Sequence, residues 1–405
     1  MTIRMTMMRH VPVALAVLAF ATPALAQKVT TVPDLTGQQV LTQLAGSARG
    51  VGEAIALTTA VEIATQPFGS SSGGFIFKLD PSTGLLARTA TTFGPAFGER
   101  ALTSGEGQVS VGATFRSTSF DKLSDFSLGS LPLSTIAGTA AAARTTTANL
   151  ALTARTVALS TTVGVTENFD VAVVVPLVQV KLAGSSAVVN TSGVVTRLAE
   201  TDSVFAGIGD VSALAKYRFV KFGGAPIPDP GGIALVVNAR LPTGSRENLR
   251  GLGVARTLVS GVVSGGRARL RPHASAGFEY WSKGIDALGA GGQRVSIRHQ
   301  FQYAGGIELE AAPKLTFLVD YMGQKIFGGG QIGVAPDTVS ATLPGVSSAN
   351  SMVLLGQGIT KSLLVPGLKA NLKGKLLLTL SAIITLQNNG LHSKVTPVAG
   401  INLTM

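Results

Sequence analysis

Apolar and polar residues alternate with period two along much of the chain. From Val295 to Leu309 the odd positions read Val295, Ile297, His299, Phe301, Tyr303, Gly305, Ile307 and Leu309, against Ser296, Arg298, Gln300, Gln302, Ala304, Gly306 and Glu308. Successive side chains of a strand point to opposite faces, so this is an extended segment with one apolar and one polar face. The pattern recurs at Val109, Val111, Ala113 and Phe115, at Val211, Ala213, Ala215, Tyr217 and Phe219, and at Ile233, Leu235, Val237, Ala239 and Leu241. Soluble sandwich strands run to about five or six residues. These runs reach a dozen or more, enough for the roughly 9–11 residues with which a tilted strand crosses a bilayer.

Strands are expected at about 107–119, 150–166, 169–182, 207–220, 231–243, 253–264, 267–281, 295–310, 313–327, 352–372, 374–386 and 393–404. The connections alternate. Long ones are 120–149, 183–206, 244–252, 282–294, 328–351 and 387–392; short ones are Glu167-Asn168, 221–230, Gly265-Gly266, Ala311-Ala312 and Lys373. Long loops on one side, tight turns on the other and an even strand count are the marks of an outer-membrane barrel. The predicted fold class is therefore all-β, a transmembrane antiparallel β-barrel of twelve strands over residues 107–405.

Residues 27–106 follow a different pattern. Val51 to Thr65 is predicted as a strand, Gly69 to Gly74 as a linker, and Phe75–Leu79 with Leu85–Thr92 as a hairpin around Asp80-Pro81-Ser82-Thr83-Gly84. This segment either adds a hairpin, for fourteen strands, or folds into the lumen as a plug. Ahead of it, Arg4 and Arg9 precede an apolar run from Val11 to Ala21 that closes on Ala24-Leu25-Ala26. That is a secretory signal peptide over residues 1–26, cleaved after Ala26, and it places the barrel in the outer membrane of a Gram-negative cell.

Composition agrees. The chain carries 49 glycines and 13% charged residues, yet past the signal it has no apolar run of about 18 residues, so its hydrophobicity is distributed over strands. Without cysteine it can form neither disulfides nor thiolate sites. Loss of Arg4 and Arg9 lowers the formal charge from +12 to +10. The basic residues are scattered singly, which, with export, argues against a nucleic-acid partner; the expected partners are outer-membrane lipid and small solutes.

Candidate chemistry is sparse. Gly69-Ser70-Ser71-Ser72-Gly73 matches a nucleophile-elbow string, but the strand expected after it leaves no helix to complete the elbow. His273, His299 and His392 lack metal-ligand spacing, and Ser275 beside His273 is the sole Ser/His pair on one face. No enzymatic activity, cofactor or metal is expected. The polar face is more informative. Arg116, Arg155, Lys216, Arg218, Arg240, Arg298 and Lys314 fall on it, and Arg267, Arg269 and Arg271 form a ladder with His273. Asp210, Glu279, Glu308 and Asp320 share that face. Charges facing lipid cost about 2–4 kcal/mol at mid-membrane, so the alternation turns them to the lumen. There Arg116, Lys216, Arg218, Arg240, Arg267, Arg269, Arg271 and Arg298 are candidate selectivity residues, or else braces paired with acids.

Gly207-Ile208-Gly209-Asp210-Val211 runs on into Lys216-Tyr217-Arg218-Phe219, and a later strand ends Leu241-Pro242-Thr243-Gly244. These motifs, with Val395-Thr396-Pro397-Val398-Ala399-Gly400, resemble the outer-membrane family linked to the meta-cleavage pathway of phenol degradation, grouped with fatty-acid and toluene transporter barrels. The resemblance spans roughly residues 100–405 and implies a barrel passing small, often aromatic, molecules. It departs at the end: such barrels usually finish on an aromatic residue, and this chain finishes on Met405. The expected function is a channel or transporter for small solutes, aromatic or anionic. The alternative is a structural or adhesion-type surface barrel acting through loops 120–149, 183–206 and 328–351.

Overall fold

The computed structural model describes residues 35–46, 49–71, 74–79, 86–88, 90–223, 231–338, 340–387 and 389–405. The expected signal peptide and its cleavage site lie outside these residues, as do the hairpin turn at 80–84 and most of the 221–230 connection.

Twelve antiparallel strands close on themselves: β1 (Val109–Phe120), β2 (Arg144–Thr166), β3 (Phe169–Asn190), β4 (Ser212–Lys221), β5 (Gly232–Arg240), β6 (Arg256–Ser264), β7 (Leu270–Trp281), β8 (Arg294–Ala312), β9 (Leu315–Pro336), β10 (Val346–Lys373), β11 (Leu376–Thr385) and β12 (Val395–Thr404). Each pairs with its sequence neighbours, and β12 returns to β1 from Val398↔Arg116 to Thr404↔Ser110. Closure leaves no sheet edge, which satisfies the backbone in lipid. The short Phe77–Leu79 and Leu86–Arg88 strands pair only with each other, so the barrel has twelve strands and not fourteen.

Burial is inverted relative to a soluble protein. On β4, Tyr217 and Phe219 are 52% and 57% exposed while Lys216 and Arg218 between them are 0% and 1% exposed. Phe115, Val259, Phe278, Ile307, Phe317 and Val319 likewise face outward, and Glu279, Gln300, Glu308 and Asp320 are buried inside. Among the described residues no helix is long and apolar enough to cross a membrane; the strands do the crossing.

The two ends differ. Tight turns at Glu167-Asn168, 265–269, 313–314 and 374–375 close one end. At the other, β2, β3, β9 and β10 run to 23, 22, 22 and 28 residues and project past any bilayer. The expected loop 120–149 therefore contains a strand, Leu131–Gly138, wedged between β2 and β10, and the expected loop 183–206 is mostly strand, with Val195–Ile208 paired along β3. The expected strand 207–220 is split: Gly207 and Ile208 belong to Val195–Ile208, and β4 starts at Ser212.

The strand expected at 51–65 is a helix, α2 (Arg49–Thr65), preceded by α1 (Gly37–Ala45). Nearly every α2 side chain is buried, with only Glu53 exposed among residues 51–65. A helix enclosed on all sides shows no 3.6-residue stripe, so its Val, Ile and Thr content points locally to a strand. Inside a barrel whose own strands are paired, a helix is the form that satisfies its backbone alone. The two helices cross so closely that a Cβ on Gly52 would lie 2.5 Å from the Thr42 Cα.

Candidate functional site

The site is the lumen, and the described residues between 35 and 104 lie in it from the long-loop end to the tight-turn end. α1 starts at the long-loop end, where Gln38 N donates to Glu247 O at 2.9 Å, after a Thr36/Gln39 capping box. α2 then descends, with Thr58 Oγ1 donating to Gly330 O at 3.5 Å. At the far end Thr103 Oγ1 donates to Glu167 O in the tight turn, and Ser104 N to the Asp170 carboxylate at 2.9 Å.

The C-terminus of α2 leaves orphan carbonyls, which the wall satisfies. Ala64 O accepts from Arg240 Nη1 at 3.2 Å and Arg256 Nη2 at 3.1 Å, and Thr65 O accepts from Gln324 Nε2 at 3.2 Å. Arg116 Nη1 reaches Pro67 O at 2.9 Å, and Lys361 holds Glu62 and Thr65 Oγ1. Four cations thus surround the negative end of a helix dipole. The arginines are held in turn: Arg256 meets Asp210 at 3.0 Å and Glu279 at 3.4 Å, and Glu279 also takes Trp281 Nε1 at 2.9 Å and Gln300 Nε2 at 3.0 Å.

Lower down, loop 93–98 is clamped. The Asp320 carboxylate accepts from the backbone N–H groups of Ala96, Phe97 and Gly98 at 3.1, 3.1 and 3.3 Å, with His273 Nε2 behind it at 3.1 Å. Glu308 takes Gly94 N at 3.0 Å, and Lys369 Nζ donates to Pro95 O at 2.7 Å and Phe93 O at 3.3 Å. Lys216 lies 3.6 Å from Glu99 and 4.0 Å from Asp170, the carboxylate near the Glu167-Asn168 turn. Two adjoining cavities, of about 120 and 60 Å3, flank the thread and share Gly69, Ser70, Phe97, Ser160 and Val174.

The expected selectivity residues divide accordingly. Arg116, Lys216, Arg218, Arg240 and Arg271 are buried and inward, Arg271 Nε reaching Thr91 Oγ1 at 3.3 Å. Arg267 and Arg269 are exposed in the turn that precedes β7, bridged from Arg267 to Leu270, so the three arginines form no ladder. Arg298 is exposed on the outer face, because a bulge between Arg298 and Gln300 in the β8–β9 pairing shifts the alternation by one residue. Above it Val295 and Ile297 turn inward, 6% and 0% exposed. Arg155 is exposed on β2, and Lys314 is exposed in a tight turn. Sequence inspection missed Arg256, Lys361, Lys369, Gln324, Glu62 and Glu99. Arg256 shares parity with Ser260 and Ser264 on a correctly expected strand, the one signal that could have exposed it.

A closed barrel with an apolar outer face, a polar lumen and a threaded segment defines an outer-membrane-type β-barrel. No family model and no curated protein matches the chain. Solved structures do. An outer-membrane channel from Pseudomonas putida F1 is 11% identical, covers 75% of this chain and 98% of its own, and gives a TM-score of 0.47. The toluene transporter of Ralstonia pickettii is 12% identical over 74% and 90%, at 0.34. The translocator domain of an autotransporter from Neisseria meningitidis is 9% identical over 74% and 88%, at 0.35. At these scores the likeness assigns neither a substrate nor a mechanism to this chain.

Proposed function

We propose that the chain is an outer-membrane channel for small solutes, exported by the signal peptide cleaved after Ala26 and closed at rest by the two helices and residues 90–104, its tight turns in the periplasm and its long loops outside. The observation that carries this is the pair of cavities beside the thread. The wall of the larger one includes the small residues Ser160, Ser212, Ser260 and Gly277, which leave room beside Phe68, Phe97 and Met322 that bulky side chains would fill in a barrel serving only as scaffold. The larger cavity ends on Arg240, whose guanidinium lies 5.3 Å above the Phe68 ring. A small apolar body with an anionic end suits that lining, and aromatic carboxylates combine it with the solutes the family resemblance implies. The test is liposome swelling with benzoate and neutral sugars of similar size, on wild type and on an Asp320→Ala variant with a loosened clamp. Swelling in either supports a channel, and faster benzoate passage supports the substrate class. If both are silent the surface-barrel alternative gains, favoured by the projecting Val195–Ile208 strand.

A further inference from the structure

The bulge that turns Arg298 outward also gathers the aromatic residues of the outer face. His299, at φ 48°, stacks on Tyr280 with centroids 4.8 Å apart and lies 5.8 Å from Phe278. Phe278 is 6.3 Å from Phe327, and the chain of rings continues from Phe301 through Tyr303 to Tyr321 at 6.0 and 6.1 Å. Three of the protein's four tyrosines are therefore in one patch on β7, β8 and β9. Two cations crown it. Lys325 is opposite Phe301 in the β8–β9 register, with Nζ 5.7 Å from the Phe327 ring, and Arg298 is opposite Phe327. Both are exposed, and among the described residues neither is paired with a carboxylate; the nearby Asp286 is taken by Arg294 at 3.9 Å.

Height locates the patch. A strand rising about 3.3 Å per residue and tilted about 40° climbs about 2.5 Å per residue along the membrane normal, so Lys325 stands roughly 20 Å above the outward Phe317 near the tight-turn end. With an apolar band about 25 Å tall, the rings climb its upper half and the two cations stand near its upper edge, within reach of the headgroups. An unpaired lipid-facing cation is tolerated there and not at the midplane. A guanidinium and an ammonium above a ring platform are the complement of a phosphorylated glycolipid: phosphate for the cations, sugar and upper acyl chains for the rings.

We propose that this patch binds the phosphate-bearing disaccharide of outer-leaflet lipid A. The inference rests on the outer-membrane reading, though not on any solute passing the lumen. A second copy of the chain is disfavoured as occupant, because a twofold interface on this patch would set Arg298 and Lys325 against their own copies without acids to pair them. The test uses full-length protein in detergent, titrated with diphosphorylated and with dephosphorylated lipid A and read by native mass spectrometry. Wild type should retain the diphosphorylated form at least about tenfold better, and an Arg298→Gln/Lys325→Gln variant should lose that preference. Equal retention of the two forms by wild type overturns the proposal whether or not the variant folds, as does an unchanged preference in a folded variant or a wild-type oligomer that shields the patch. Fractionation of the same cells identifies a failure of the outer-membrane reading by itself.

Discussion

Arg256→Met tests whether the luminal cations hold the helix or merely line the pore. Arg256 is fully buried and bonds Ala64 O at 3.1 Å, Asp210 Oδ2 at 3.0 Å and Glu279 Oε1 at 3.4 Å. Met fills similar length without charge, leaving two enclosed carboxylates short of a cation. Removing one partner of a buried ion pair costs about 3–5 kcal/mol, and losing a cation at a helix C-terminus adds about 0.3–1. The remaining donors soften this: Asp210 keeps Gly244 N at 3.1 Å and Leu252 N at 3.2 Å, and Glu279 keeps Trp281, Gln300 and Arg240. The net expectation is a loss of about 3 kcal/mol. Trp281 is the chain's only tryptophan, 1% exposed and with its ring 5.9 Å from the Arg256 guanidinium, so its fluorescence reports on this cluster during denaturant titration in detergent micelles. Adding Glu279→Gln should recover part of the loss by removing one stranded charge. A single variant within about 1 kcal/mol of wild type, with unchanged Trp281 emission, would refute the role assigned to Arg256.

Other outcomes follow from the same geometry. Because the chain has no cysteine, Gln43→Cys on α1 should react with an impermeant maleimide on intact cells, and Arg269→Cys in a tight turn only after permeabilisation; the opposite pattern would invert the orientation. Tyr321→Arg, at a lipid-facing position 38% exposed and midway between Phe317 and Lys325, should abolish the heat-modifiable folded band, while Arg298→Ser should leave it intact. Asp320→Ala leaves three consecutive N–H groups of residues 96–98 without their acceptor and should raise the frequency of open events in planar bilayers severalfold over wild type. Unchanged gating would show that loop 93–98 is not part of the closure.

What was legible in the sequence is what period two encodes. All twelve strands could be placed because each barrel wall has one face in lipid and one in a polar lumen, a contrast that repeats at every strand whatever its neighbours. Features that break the period were missed. The bulge at His299 preserves strand hydrogen bonding on both sides while reversing the faces, so Arg298 reads as luminal when Gln300 is the residue that points in. The turn at 265–269 takes Arg267 and Arg269 off the strand although their spacing is that of a ladder. α2 failed for another reason. It is enclosed by the barrel wall and by α1, so no solvent-facing side marks it by polarity. The Thr36/Gln39 box ahead of α1 was the available local signal for helix in this segment.

The excess of basic residues in the lumen now has a structural origin that constrains opening. Arg116, Arg240, Arg256 and Lys361 satisfy the lower end of α2, and Lys369 satisfies loop 93–98, so these charges are engaged with carbonyls and carboxylates rather than with solvent. Ejecting α2 would strand several buried cations at once, at about 1–3 kcal/mol for each unmet hydrogen bond to a charged group. Gly69 and Ser70 border both cavities, Ser70 N donates to Ala96 O at 3.0 Å, Thr162 Oγ1 donates to Ser71 O at 2.9 Å, and Ser71 also donates to Glu99. A shift of residues 69–71 that joined the cavities would break the Ser70–Ala96 bond to loop 93–98 and the Thr162–Ser71 bond to the wall. On the channel reading proposed above, the cheapest opening is a shift of residues 69–71 that gives up those two bonds while the cations around α2 and loop 93–98 keep theirs.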